Sequence, residues 1–281
     1  MLITDCHVHI EPFWMMHSGP ASMMLKKRPN HEEIESYSAD PKKFLAYLDR
    51  CGVDRTVLIN YPAPETLGFT MDVNDWILKY CATDPERLLP CGGFSKQFTG
   101  DVESELKRLI ERGIRLIKVH PPHQLLYPND YLSGNRTLET IYRVCEASGT
   151  PVMIHTGTSV FPKARSKYGD PIHLDDIAID FPKLTILMAH GGRPLWMETA
   201  FFLVRRHANM YLDISGIPPR TLLNNFPRLQ EIATKTLFGT DWPGPGVPDI
   251  KRNLEDFRAL DISEPAKRAI LSENALQIWP K

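Results

Sequence analysis

Short runs of β-branched and other apolar residues recur along the chain at about 2–9, 53–60, 88–94, 114–120, 151–156, 184–190, 209–214 and 234–240. Between them the apolar positions fall at helical spacing. Asp40-Pro41 opens one such stretch that closes at Cys51-Gly52, and Asp101 precedes another that runs to Arg112-Gly113. Asn135-Arg136 leads to Ser148-Gly149, and Pro218-Pro219 opens the stretch Arg220–Ile232. A capping side chain or proline at the start and a glycine at the exit are the marks a helix leaves in sequence. Strands alternating with helices predict a parallel sheet, and eight strands are the number that closes a (β/α)8 TIM barrel. A doubly wound open sheet competes, but no glycine-rich phosphate turn follows any early strand. No repeat or composition break divides the chain, so residues 1–281 are expected to form a single barrel.

The polar residues that finish these runs point to chemistry. The first run ends Thr4-Asp5-Cys6-His7-Val8-His9, and side chains two apart on a strand share a face. Others end Ile117-Lys118-Val119-His120, Val152-Met153-Ile154-His155, Leu187-Met188-Ala189-His190 and Phe238-Gly239-Thr240-Asp241. In a barrel of this type the strands' C-terminal ends build the active site. Five strand ends carrying metal-ligand residue types are therefore expected to meet at one mouth.

Composition narrows the function. Lys and Arg number 33 against 34 Asp and Glu, so neither nucleic acid nor an anionic membrane is an expected partner. The five cysteines form no C-x-x-C pair, no run approaches the length of a membrane span, and no secretory signal is visible. A reduced, cytoplasmic enzyme acting on a small molecule is expected; a homo-oligomer is compatible with this.

The motifs Thr4–His9, Ile117–Pro121, Pro151–Gly157, Met188–Gly192 and Phe238–Pro243 together resemble the amidohydrolase superfamily, in particular its amidohydrolase-related branch, which includes enzymes of the aminocarboxymuconate-semialdehyde decarboxylase type. The resemblance covers essentially the whole chain. It implies that His7, His9, His155 and Asp241 bind one divalent ion, with zinc expected and manganese, iron or cobalt able to use the same ligands. It also implies that His190 is the acid/base histidine, acting with Asp241 on a metal-activated water, His190 as a ligand of a second metal being the rival reading. Hydrolysis of a small carboxylate-bearing substrate is the expected reaction. The alternatives are non-oxidative decarboxylation at the same ion and a binding barrel that has lost catalysis. Some decarboxylases of this branch carry Glu-x-His in place of His-x-His, so His7 tilts the reading towards hydrolysis.

Around that centre, Lys118 is read as a free ammonium for a substrate carboxylate, or else a carbamate bridging two metals. His120 and Arg193 are expected to bind substrate, Arg193 from the start of a helix. Asp5 is expected either to orient an imidazole or to play a buried structural part. The loop between His9 and Pro41 is long and apolar, and its Trp14 and methionines are expected either to close over the substrate or to cap the barrel or form a subunit contact. Pro243-Gly244-Pro245-Gly246 is read as a stiff turn on the opposite rim.

Overall fold

Each apolar run becomes one parallel strand in the computed structural model, which describes residues 1–25, 28–244 and 246–281. The strands are β1 (Thr4–Val8), β2 (Arg55–Leu58), β3 (Leu88–Gly93), β4 (Leu116–Val119), β5 (Val152–His155), β6 (Ile186–Ala189), β7 (Met210–Asp213) and β8 (Thr236–Leu237). They pair in sequence order in one eight-stranded sheet. Its ends meet: Cys6 N donates to Phe238 O, Asp241 N to His7 O and His9 N to Trp242 O, at 2.9, 2.8 and 2.7 Å. The (β/α)8 barrel is thus closed by backbone bonds that join the residues just beyond β8 to β1.

The helices cover the outside. Those used below are α1 (Ser18–Leu25), α2 (His31–Ala39), α3 (Pro41–Cys51), α4 (Asp72–Cys81), α5 (Val102–Glu111), α6 (Pro121–Gln124), α7 (Arg136–Ser148), α8 (Leu174–Asp180), α9 (Met197–Arg206) and α10 (Pro219–Asn225). The predicted boundaries of α3, α5 and α7 hold because their caps form. Asp40, Asp101 and Asn135 each accept a first-turn backbone N–H, and Gly52 and Gly149 end α3 and α7 in the left-handed conformation that glycine enters without strain. The stretch Arg220–Ile232 is not one helix. α10 stops at Asn225, a 3-10 segment follows at Leu229–Lys235, and Phe226 between them is non-helical because Pro227 disfavours helical geometry before it. The long loop after β1 is itself helical, holding a 3-10 turn at Phe13–Met15 and then α1 and α2.

Strand parity separates two apolar clusters. Val57, Leu89, Cys91, Leu116, Met153 and Leu187 fill the barrel, while Leu58, Ile117, Val119, Val152, Ile154 and Ile186 face the helices. β1 breaks the alternation: Asp5 pairs with Thr56 but Val8 pairs with Leu58, so β1 carries one extra residue between them. This bulge puts Cys6 in the barrel cluster while His7 still reaches the mouth.

Behind the seam, Trp242 is fully buried and stacks on Phe44 at 6.3 Å and 11°, with Tyr47 at 5.0 Å and Tyr37 at 6.0 Å. α2 and α3 are therefore anchored against the residue next to Asp241. Phe44→Ala should cost about 3–5 kcal/mol through lost contact and an unfilled cavity. A loss of unfolding free energy below about 1 kcal/mol, taken from the denaturant midpoint and slope, would show that the aromatic cluster is not what holds α3 to the barrel.

Candidate metal centre

The strand ends do converge. His7 and His9 present Nε2 to the same oxygen, Asp241 Oδ1, at 3.6 and 3.3 Å. The other nitrogen of each ring is taken by a carboxylate: His7 Nδ1 lies 2.6 Å from Asp213 and His9 Nδ1 lies 2.8 Å from Glu11. Burial holds His7 well below the usual imidazole range, so it is neutral and donates its Nδ1 proton to Asp213. Burial also lowers His9, but the hydrogen bonds to Asp241 and Glu11 more than reverse this and raise it to about 9.

Ser215, two residues beyond β7, ties the second half of the site together. Its hydroxyl donates to Asp213 at 2.9 Å and lies 2.9 Å from His190 Nδ1 and 3.0 Å from His7 Nδ1. Its carbonyl lies 3.0 Å from His190 Nδ1. A carbonyl only accepts, so the His190 proton sits on Nδ1 and the lone pair on Nε2. Burial and the nearby Arg193 guanidinium hold His190 well below the usual imidazole range. His190 and Asp241 both have positive φ, 64° and 67°. Such backbone costs about 1–3 kcal/mol per residue and persists where the surroundings over-determine it.

A cavity of about 230 Å³ opens over these groups. Arg193 lines it, its side chain 25% exposed, and its guanidinium lies 3.2 Å from Asp241 Oδ2. It does not start a helix as expected: α9 begins four residues later, at Met197, so no helix terminus adds to its charge. The guanidinium passes over Gly216, where any Cβ would collide with it and lie 2.7 Å from Asp241 Oδ2. Lys118 is buried in the same wall with no hydrogen-bond partner for Nζ among the described residues, and burial pulls its ammonium down to about 8.

His155 is buried beside His190, ring centres 4.6 Å apart, and its Nε2 has no partner among the described residues. His120 stacks on it at 3.8 Å and carries His123 on its other face at 3.6 Å. Trp14 stands elsewhere: it is 64% exposed, leans edge-on against Trp76 at 6.1 Å and does not line the cavity, which Met16 and Met24 reach instead. Asp5 orients no imidazole. Its carboxylate accepts from the backbone N–H groups of His7 and Thr240 and from the Thr240 hydroxyl, bracing the seam beneath the site. Pro245, in the turn after Asp241, lies outside the described residues.

The donor set suits a divalent ion. The His7 Nε2 lone pair faces a carboxylate oxygen at 3.6 Å, is buried, and has no hydrogen-bond partner among the described residues. Two acceptors so placed repel unless a cation lies between them. Ligand–ligand edges in a tetrahedral site with bonds of ~2.0–2.1 Å are roughly 3.3 Å, near the 3.6 Å spacing of His7 from Asp241, while the 3.3 Å contact of His9 with Asp241 is a hydrogen bond whose proton an ion would replace. Among the described residues, donor atoms of His7, His190 and Asp241 also lie within 4.8 Å of one another, so the geometry places His190 in the same cluster as the ligand candidates.

Sequence reading missed Asp213, Glu11, Ser215, His123 and Gly216. Two signals were available. Asp213 ends β7 as the other polar residues end their strands, and Glu11 follows His9 at the same two-residue step by which His9 follows His7.

A family model described as Amidohydrolase matches residues 4–281. No curated protein matches the chain. Among solved structures, an uncharacterized TIM-barrel protein from Bordetella bronchiseptica is 22% identical, with 99% of this chain and 98% of that one covered and a TM-score of 0.78. A 5-carboxyvanillate decarboxylase from Novosphingobium aromaticivorans, complexed with manganese and 4-hydroxy-3-methoxy-5-nitrobenzoic acid, is 17% identical over 99% and 95% of the two chains, TM-score 0.71. A 2,6-dihydroxybenzoate decarboxylase complexed with 2,6-dihydroxybenzoate is 19% identical over 99% and 97%, TM-score 0.69. With its strand-end motifs, its closed barrel and a family match that spans nearly every residue, the chain belongs to the amidohydrolase family.

Proposed function

We propose that the protein is a metal-dependent hydrolase of a small, carboxylate-bearing substrate. The observation that carries this reading is the direction of the hydrogen bond from His190 Nδ1 to the Ser215 carbonyl, which leaves Nε2 as a proton acceptor at the mouth. Hydrolysis needs a base there to take a proton from water; decarboxylation needs an acid to protonate the carbon that loses carbon dioxide.

His7, His9, His155 and Asp241 would hold the ion. Bound there, a divalent metal supplies Lewis acidity, polarising a substrate oxygen and lowering the pKa of water to about 7. Asp213 and Glu11 fix the ring orientations of His7 and His9, as carboxylates behind metal-binding imidazoles commonly do. His190 Nε2 takes the proton of the attacking water and returns it to the leaving group. Beside its hydrogen bond to Asp241, Arg193 has N–H groups with no partner among the described residues and takes the substrate carboxylate, with the Lys118 ammonium adding charge in the same cavity. Met16 and Met24 cover the mouth and exclude water.

Decarboxylation is the second reading. It is favoured by the two cationic groups in the same cavity, and two of the structural neighbours are decarboxylases.

Metal analysis of the purified protein should find about one divalent ion per chain, and manganese, iron, cobalt and zinc should be compared for reconstitution. His7→Ala and Asp241→Ala should each deplete it, and Asp213→Ala should weaken it by roughly 10–100-fold through the loss of the His7 partner. Undiminished metal in both His7→Ala and Asp241→Ala would remove this ligand assignment.

His190→Asn should keep the ion while turnover falls by about 10²–10⁴-fold. Loss of metal and activity together would make His190 a ligand. With a substrate found by screening lactones, amides and aromatic acids, turnover in ¹⁸O-labelled water should place the label in the product. Release of carbon dioxide together with an organic product that carries no label would establish the second reading.

Arg193→Met should raise KM for an acidic substrate far more than for its neutral ester or amide. Equal losses for both compounds would mean that the carboxylate is held elsewhere.

A further inference from the structure

The column of stacked imidazoles beyond His190 has a fixed polarity. His120 caps α6: the backbone N–H of His123 is shared between the His120 carbonyl at 3.0 Å and the His120 Nδ1 at 3.3 Å, and an Nδ1 that faces an N–H is an acceptor, so the ring proton belongs on Nε2. That nitrogen has no hydrogen-bond partner among the described residues and is not among the fully buried unpartnered atoms, and His120 lines the cavity. It is therefore a donor facing the space a substrate would fill.

The ring cannot turn to present the other nitrogen. Its faces are held by His155 at 3.8 Å and His123 at 3.6 Å, and Tyr61 lies 5.1 Å away. His123 is itself clamped at both nitrogens, with the Tyr61 hydroxyl 2.9 Å from Nδ1 and the Ser159 hydroxyl 2.8 Å from Nε2. From His190 the ring centres step 4.6 Å to His155 and 3.8 Å on to His120. A group bound by His120 therefore lies two ring-to-ring steps from His190.

We infer that His120 Nε2–H is a specificity determinant that binds a second oxygen acceptor on the substrate, one stacking step beyond the proposed ligand His155, and that His123 positions it. The substrate class is then a small ring or chain carrying oxygen acceptors at both ends, one for the Arg193 and metal end and one for His120. This inference rests on the proposed metal-dependent use of the cavity, but not on whether the reaction is hydrolysis or decarboxylation.

Binding to the metal-loaded full-length protein separates the two. Terephthalate and 4-methylbenzoate have similar shape and share one carboxylate; only terephthalate carries a second acceptor. Calorimetry should show wild type preferring terephthalate by about ten-fold or more, the worth of one hydrogen bond to a charged group. His120→Phe keeps an aromatic ring in the stack but has no donor. It should abolish the preference while leaving the metal content and the affinity for 4-methylbenzoate unchanged. His120→Gln, whose amide can donate, should restore part of the preference. Equal weakening of both acids by His120→Phe, or no preference in wild type, would overturn the assignment. Loss of the ion from both variants would also overturn it, by making His120 part of the metal site. If wild type binds neither acid, both this inference and the carboxylate-substrate reading fall. If wild type binds both acids equally, only this one does.

Discussion

A buried carboxylate accepts hydrogen bonds and cannot donate them, and at Asp213 that asymmetry orders the protons of the whole site. Burial raises this acid, while hydrogen bonds from Ser215 and the charge of Lys118 draw it back towards the carboxylate. Because Asp213 only accepts, His7 must place its proton on Nδ1 and Ser215 must turn its hydroxyl towards the acid. Ser215 is then left to accept from the second imidazole, and His190 carries its proton on Nδ1 as well. The lone pairs of both rings end on Nε2. One aspartate at the end of β7 thereby sets the donor polarity on which both the proposed metal centre and the proposed base depend.

The backbone around this network leaves little freedom. The bulge in β1 lets Cys6 and His7 both serve the barrel side, and the seam bonds on His7, His9 and Asp241 tie ligand candidates directly to barrel closure. Gly239 allows close approach: a Cβ there would lie 2.6 Å from an Asp213 oxygen and 2.9 Å from the His7 Cβ. The site is built on strand ends and short turns rather than on a free loop, the arrangement that holds functional side chains to the tolerance catalysis needs. The same scaffold carries different reactions in its relatives, so the barrel does not choose between them. In our proposal the choice lies in the proton position on His190 and in the groups along the stacked imidazoles.

The strands and the capped helices were legible because their causes are local. Alternating burial, Asp40 and Asn135 as caps and glycine at helix exits act over a few residues, and their boundaries in the structure agree closely with those read from sequence. Where a local signal was overlooked, at Pro227, an expected helix proved to be two segments. The strand-end rule brought His7, His9, Lys118, His120, His155, His190, Arg193 and Asp241 around one cavity, because a closed barrel leaves strand ends nowhere else to point.

What remained for the tertiary structure was the identity of each neighbour. Asp213 meets His7 across 206 positions of chain, and no periodicity in either segment encodes that pairing. Trp14 turns outward to Trp76 on α4 while Met16 and Met24 turn in, a choice made by packing between elements and not by hydrophobicity, which all three share. The fold and the ring of strand ends are readable from the chain alone, since they follow from short-range geometry. Only the folded barrel decided which nitrogen of each histidine is free, because that depends on the acceptor that closure brings to the other side of the ring.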